Sequence, residues 1–185
     1  MPNTKGKYIA EQGFSVRNTA GVETEVINSD GTLNGTAVID NNSITSAKLD
    51  ISTIQYAAVA ISIAAFKACR AAPITLVAAP GAGYMLEFIS ATFIYDYAAA
   101  YTETADNLEI RYTDGSGAVV STVLETTGLL DATADQVRTF KVVTTDVTPV
   151  VNAALVLFNN GDGEFAGTGS PIRMKVAYRV HTTGL

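Results

Sequence analysis

The stretch Ile172-Arg173-Met174-Lys175-Val176-Ala177-Tyr178-Arg179-Val180-His181 decides the fold class of this chain. Apolar side chains occupy every second position, and Arg173, Lys175, Arg179 and His181 lie between them. Successive side chains of a β-strand point to opposite faces of the sheet, so the alternation predicts a strand with one core face. The opposite face would carry a basic stripe, which is typical of a half-exposed strand. The alternative is a contact with an acidic protein surface.

Further segments of strand character surround this one, separated by turn residues. Asp114-Gly115-Ser116-Gly117 predicts a hairpin turn, and residues 64–71 predict a short helix that Pro73 ends. In residues 107–112, apolar positions alternate with Asn107, Glu109 and Arg111, which predicts one wet face. The other predicted strands are 59–63, 74–77, 84–97, 118–125, 137–143 and 153–158. Because no βαβ rhythm is present, we expect an all-β fold, an antiparallel β-sandwich of jelly-roll type.

The N-terminal part of the chain has a different composition. From Ser15 to Gln55 there is no Phe, Tyr or Trp. Such a segment buries little apolar area and does not easily offset its own ordering entropy. We therefore expect an extended N-terminal arm, residues 1–50, and a β-sandwich domain, residues 51–185. Short apolar positions of the arm are candidates for adding strands to a partner: Val26, Ile27, Val38, Ile39, Ile44 and Leu49.

Two predicted strands, 84–97 and 153–158, carry apolar side chains on both faces. A strand buried on both faces lies either under other parts of its own chain or at a subunit interface, and both alternatives stay open. The candidate subunit-interface residues are Met85, Phe88, Phe93, Leu155, Leu157 and Phe158.

Charge argues against several classes of partner. The chain has 185 residues, a net charge of −6 and 16% charged residues, against a usual share of about 25%. No cluster of Lys and Arg is present of the kind that phosphate binding needs, so we expect no nucleic-acid partner. The longest apolar run, 56–66, is too short to span a bilayer, and we expect no membrane partner. The first residues lack the apolar region of a signal peptide.

The residues that could support catalysis are few. Cys69 and His181 are the single cysteine and the single histidine, too few for a zinc site and weak support for a catalytic pair. Asp131, Asp135 and Asp146 are carboxylates of the type that glycosidases use, but the chain has no Trp to stack on a sugar. We therefore predict no catalytic residue, no cofactor and no metal, and a protein that is not an enzyme.

Two glycine-rich loops contain residues that could, in another pattern, bind a phosphate or a calcium ion. Gly81-Ala82-Gly83 lacks the remaining residues of a phosphate-binding loop and is interpreted as a strand connection. Asp162 and Glu164 lie in the loop 159–170 without the acidic spacing of an EF-hand, which favours a solvated loop over a calcium site.

Four segments resemble proteins of tailed-phage virions. Residues 42–49, Asn-Ser-Ile-Thr-Ser-Ala-Lys-Leu, resemble an element of the N-terminal parts of phage virion proteins, including tail fibres. Residues 71–83, 111–117 and 177–181 resemble phage structural proteins encoded near capsid genes. The resemblance covers most of residues 40–185.

The resemblance implies a capsid decoration, or cement, protein that bridges subunits of the major capsid protein. The short apolar positions of the arm would then be its capsid-binding residues. Such proteins are often homotrimers, and this one would lie on the outer capsid surface of a virion assembled in the host cytoplasm. One alternative is a head-fibre or tail-fibre attachment component, with or without glycan binding. The other is a carbohydrate-active enzyme built on a β-sandwich.

Overall fold

The computed structural model describes residues 14–17, 23–27, 53–102 and 107–184. The chain divides into two units, residues 1–48 and residues 49–185. In the first unit, strand β1 (Phe14–Arg17) pairs antiparallel with strand β2 (Glu23–Ile27). The two strands form a two-stranded sheet that pairs with no other described strand.

The regular secondary structure described in the second unit is almost entirely β-strand, with one short helix. Its elements in chain order are β3 (Gln55–Ile61), α1 (Ile63–Lys67), β4 (Ile74–Val77), β5 (Tyr84–Tyr95), β6 (Tyr101–Thr102), β7 (Asn107–Tyr112), β8 (Leu124–Glu125), β9 (Gln136–Lys141), β10 (Leu155–Asn159), β11 (Ala166–Gly167) and β12 (Ile172–Thr182). One sheet has the order β3-β12-β5-β9 and the other the order β4-β10-β7-β8, while β6 and β11 form a separate pair. Every pairing between these strands is antiparallel.

The strand order is that of a jelly roll. If the eight strands of the two larger sheets are numbered along the chain, the sheets read 1-8-3-6 and 2-7-4-5. Sequential strands therefore alternate between the sheets for most of the chain, as in a double-sheet jelly roll. The predicted all-β, antiparallel fold is confirmed.

Strand β12 lies between β3 and β5, and it has the single core face that its alternating sequence predicts. Ile172, Met174 and Val176 are buried in the core, whereas Arg173 and Lys175 are exposed on the opposite face. The strand makes eleven pairs with β5, from Ile172 to Thr182. β12 is therefore a central strand of its sheet, and its apolar face forms part of the core.

Strand β5 changes face at a β-bulge. Ala177 lies opposite Ser90 and Tyr178 opposite Phe88, so Ile89 has no partner on β12. One extra residue shifts the alternation of side chains, so that Phe88 before the bulge and Phe93 after it both face the core. The apolar side chains that would lie on both faces of an ideal strand thus lie largely on the core face of β5.

Two strand predictions need correction. The predicted strand 118–125 is regular only at Leu124–Glu125. The segment before it crosses between the sheets, with one bridge from Val119 to β7 and another from Ser121 to Val142, directly after β9. The predicted wet face of β7 is wrong at Glu109, which is 3% exposed because Arg111 and Asn160 cover its carboxylate with hydrogen bonds.

Aromatic side chains close one end of the core. Ser62 caps the short helix α1 by accepting a hydrogen bond from the amide of Ala65 at 3.2 Å. The helix directs Phe66 inward, where its ring stacks on Phe165 with centroids 4.9 Å apart and lies 5.1 Å from the ring of Tyr101. This packing fixes α1 against the sandwich.

Candidate interaction surface

The outer face is the solvent side of the sheet β3-β12-β5-β9. Its side chains come from alternate positions of the four strands, because the intervening positions face the core. They include Tyr56, Ala58, Ala60, Arg173, Lys175, Arg179, His181, Glu87, Thr92, Ile94, Val137, Thr139 and Lys141. Tyr56 and Val137 are each 63% exposed, a high value for large apolar side chains.

A shallow groove of about 350 Å³ crosses the outer face. Ala58 and Ala60 line it from β3, Ile94 from β5, and Arg173 and Lys175 from β12. The two alanines leave room that larger side chains would fill. The ammonium of Lys175 lies 4.8 Å from the ring centroid of Tyr56, a cation–π contact at the rim.

Arg173, the first residue of the basic stripe, is already paired. Its Nε and Nη2 donate to the two carboxylate oxygens of Asp96, both at 2.7 Å. This bidentate pair lowers the pKa of Asp96 through the hydrogen bonds from Arg173. The guanidinium therefore has an acidic partner within its own chain.

Arg179 and His181, at the other end of the stripe, share one carboxylate. Oε2 of Glu87 lies 2.9 Å from Nε2 of His181 and accepts a hydrogen bond from Nη1 of Arg179 at 3.3 Å. The hydrogen bond with His181 is the main cause of the lowered pKa of Glu87, and Arg179 adds to it while burial opposes it. The stripe is thus largely neutralised inside the chain, which weakens the argument for an acidic partner surface.

A second concavity, of about 280 Å³, lies beside this ion-pair group. Its lining is mainly apolar and includes Met85, Ile89, Val120 and Val147. Of the predicted interface residues, Met85 and Phe88 line it. The side chain of Met85 is half-buried, whereas Phe88 is 4% exposed.

A third concavity, of about 650 Å³, lies among the loops. Phe158 lines it together with Asp114, Ser116 and Asp162. The guanidinium carbon of Arg111 lies 4.7 Å from the centroid of the Phe158 ring, so this predicted interface residue is partly covered by its own chain.

Glu164 lines the same concavity, but its carboxylate has a structural role. It accepts hydrogen bonds from the backbone amides of Arg70 at 3.2 Å and Ala71 at 2.8 Å, in the turn after α1. Within the described ranges, no three His, Cys, Asp or Glu side chains are grouped so that they could hold a metal ion.

Four of the six predicted interface residues lie inside the core. Phe88, Phe93, Leu155 and Leu157 are at most 4% exposed, so cover within the chain accounts for their apolar character and they offer almost no surface to a partner. Of the predicted arm residues, Val26 and Ile27 belong to β2. The others lie outside the described residues: Val38, Ile39, Ile44 and Leu49.

The structure separates the two residues considered for a catalytic pair. Cys69 is fully buried near Tyr101, which itself packs on Tyr95 opposite Ile172. His181 lies nine residues further along β12, about 30 Å at the rise of a strand. The Asp135 carboxylate accepts a hydrogen bond from the amide of Tyr97 at 2.8 Å, which gives it a structural partner.

The outer-face residues of β3 are not among the residues predicted from the sequence to form an interface. Tyr56, Ala58 and Ala60 alternate with Ala57, Val59 and Ile61, and only the second set faces the core. The signal that could have identified them is an aromatic residue placed on the same face as two alanines. In that pattern the small side chains of Ala58 and Ala60 cannot cover the ring of Tyr56, which stays exposed.

The sequence and the structure were compared with protein-family models, curated proteins and solved structures, and none of the three comparisons found a match. Among the described residues, no helix combines the length and the apolar content that a membrane span requires. Function must therefore be inferred from the residues of this chain.

Proposed function

We propose that this chain is a structural protein of a tailed-phage virion, acting as a capsid decoration protein that binds the major capsid protein. The observation that carries the proposal is the outer face, where Arg173, Arg179 and His181 are paired within the chain and Tyr56 and Val137 remain exposed. Burying such a face leaves few unpaired charges, which is the condition for a stable protein interface.

The division of the chain into two units supports the same proposal. A protein that bridges neighbouring subunits needs two contacts, and residues 1–48 and the sandwich would each supply one. Two linked contacts bind more tightly than either one alone, because the second forms at a high effective concentration. The candidates in the first unit are the short apolar positions, Val38 and Ile39 among them.

The jelly roll adds support only by analogy. The fold is common in viral capsid proteins and in lectins, among other classes, so it is compatible with a virion role without deciding it. The resemblance of residues 42–49 to virion proteins points in the same direction, and it implies a homotrimer.

The test is co-sedimentation of the full chain with expanded capsid shells, followed by heating of the shells. We expect bound protein at a copy number that matches the capsid lattice, and shells that resist higher temperatures. The double variant V38D/I39D should bind less, whereas N41A/N42A, a change of neighbouring polar residues, should bind as the natural protein does. Absence of both binding and heat protection would contradict the proposal.

A second candidate is a head-fibre or tail-fibre component that binds a host glycan. The concavity with Phe158, Asp114, Ser116 and Asp162 favours it, since it combines an aromatic ring with hydroxyl and carboxylate groups. A few copies per particle, together with glycan binding that D114A and D162A reduce, would support this candidate over the first.

A further inference from the structure

Strand β3 differs from the other strands at the sheet edges. Natural sheets protect edge strands by short length, charge, proline or bulges, because an open edge pairs readily with another chain. In the second sheet, β8 has two residues and β4 has four, directly after Pro73. At the far edge of the first sheet, β9 carries Arg138 and Lys141.

Strand β3 has none of these protections. It is seven residues long, Gln-Tyr-Ala-Ala-Val-Ala-Ile, without a charge or a proline, and it pairs with β12 in an uninterrupted register from Ile61 to Gln55. Within the part of the chain that the structure describes, β12 is the only strand that pairs with it. Its second edge is therefore the best candidate in the molecule for strand addition.

We propose that this edge pairs with β3 of a second copy of the chain, antiparallel and about a two-fold axis. Residues directly opposite one another in an antiparallel pair share a face, and only a pairing centred on Ala58 uses all seven residues. It places Tyr56 opposite Ala60 and Gln55 opposite Ile61. The two sheets would then continue as one sheet of eight strands.

The shapes of the two edges fit in this register. Tyr56 is 63% exposed, and the partner's Tyr56 would lie over Ala60, at the groove that Ala58, Ala60 and Ile94 line. A large aromatic side chain opposite a small one fills this space, as interface aromatics do in other complexes. The groove of about 350 Å³ has room for it.

The charges fit as well. The pairing brings no two formal charges into direct opposition, because β3 has none. The two copies of Lys175, each next to Ala58, would be three strand spacings apart, about 14 Å, which exceeds the screening length in physiological salt. Arg173 lies beside Ala60, so its guanidinium would sit next to the partner's aromatic ring.

This inference does not depend on capsid binding, and it makes a different statement about assembly. The resemblance to decoration proteins implies three copies, whereas a two-fold pairing of β3 implies two, or a higher even number. Light scattering of the full chain during gel filtration at micromolar concentration distinguishes these cases.

The decisive variant is A58K. Ala58 is exposed, so the substitution is compatible with the fold of one copy, but it places two ammonium groups directly opposite each other at the two-fold axis. We expect a dimer for the natural chain and at least a tenfold weaker association for A58K. The matched control, T139K, adds the same charge to the outer face at the opposite edge strand and should leave the dimer unchanged.

A second variant keeps the inference testable if A58K does not fold. A58C puts one thiol on each copy at the axis, and a short bifunctional maleimide should then join two copies in high yield; the buried Cys69 should not react. A monomer, a trimer that A58K does not affect, or a failure of A58C to cross-link would each overturn the inference. If A58K still binds capsid shells, the pairing and the proposed function are shown to be separate properties.

Discussion

Nε2 of His181 lies 2.9 Å from Oε2 of Glu87, and the two residues come from neighbouring strands of one sheet. Nη1 of Arg179 donates to the same oxygen at 3.3 Å. Together they hold the pKa of Glu87 below its usual value, with the His181 bond as the largest cause. The folded protein therefore keeps this carboxylate ionised at acidic pH values where the unfolded chain has begun to protonate it.

Acid should weaken the fold through Glu87. A lowered pKa in the folded state contributes stability that is present above the unfolded pKa, about 4.3, and is lost as the pH falls through the folded pKa. Because the Glu87 side chain is 42% exposed, we expect only about 0.2–1 kcal/mol. Urea unfolding between pH 3 and pH 6 should show a flatter acid limb for E87Q than for the natural protein. Identical slopes for E87Q and the natural protein would contradict the assignment.

Ser170 should be important for stability although it is not part of the outer face. Its fully buried hydroxyl accepts hydrogen bonds from the amides of Ala98 at 2.8 Å and Ala99 at 2.9 Å. S170A would leave both donors without this acceptor, and we expect a loss of about 2 kcal/mol or more in the free energy of unfolding. S116A, at an exposed turn position, should change it by less than about 0.5 kcal/mol. Equal effects of the two substitutions would show that water replaces the hydroxyl.

Arg111 should stabilise the sheet β4-β10-β7-β8 by neutralising a buried acid. Its guanidinium bonds the carboxylate of Glu109 and the carbonyl of Gly115, and it covers the ring of Phe158. R111M would leave Glu109 buried without its cation, at a cost of about 3 kcal/mol.

The double variant E109Q/R111M is the test of that explanation. If the cost comes from the unpaired carboxylate, the double variant should be more stable than R111M, and a double-mutant cycle should give a clear coupling energy. Additive effects would mean that Arg111 acts mainly by packing on Phe158.

Gly117 should tolerate no side chain. A Cβ at this position would lie 1.7 Å from the backbone oxygen of Tyr112, a contact that only a shift of the turn can relieve. We expect G117A to cost about 3 kcal/mol or more, measured by thermal and urea unfolding. In G163A the new methyl group meets no atom within 4 Å, so its stability should remain close to that of the natural protein. A stable G117A would show that the turn can adopt another conformation.

The fold class could be predicted because the decisive signals are local. Alternation along residues 172–180 requires only the geometry of a strand, and Asp114-Gly115-Ser116-Gly117 marks a turn through its own backbone preferences. The bulge at Ile89 was not predictable in this way, because it is defined by the pairing of β5 with β12. Without it, Phe88 and Phe93 fall on opposite faces of an ideal strand.

The charge pairing on the outer face could not be predicted, because it joins residues that are far apart in the sequence. Asp96 and Arg173 are 77 residues apart, and only the completed sheet brings them together. From the sequence the stripe on β12 therefore looks basic, although in the folded protein Asp96 and Glu87 pair with three of its four side chains. The burial of Glu109 was missed for the same reason, since Asn160 is 51 residues away.

The first and last strands of the sandwich are direct neighbours, with Gln55 opposite Tyr178. Because the two strands are antiparallel, the start of β3 and the end of β12 lie at the same end of the sheet. A short peptide joining Thr182 to Gln55 would make the backbone of the sandwich cyclic. It would stabilise the fold by lowering the conformational entropy of the unfolded chain. The sandwich is thus suited to cyclisation and to circular permutation, with a new opening placed at a loop of choice.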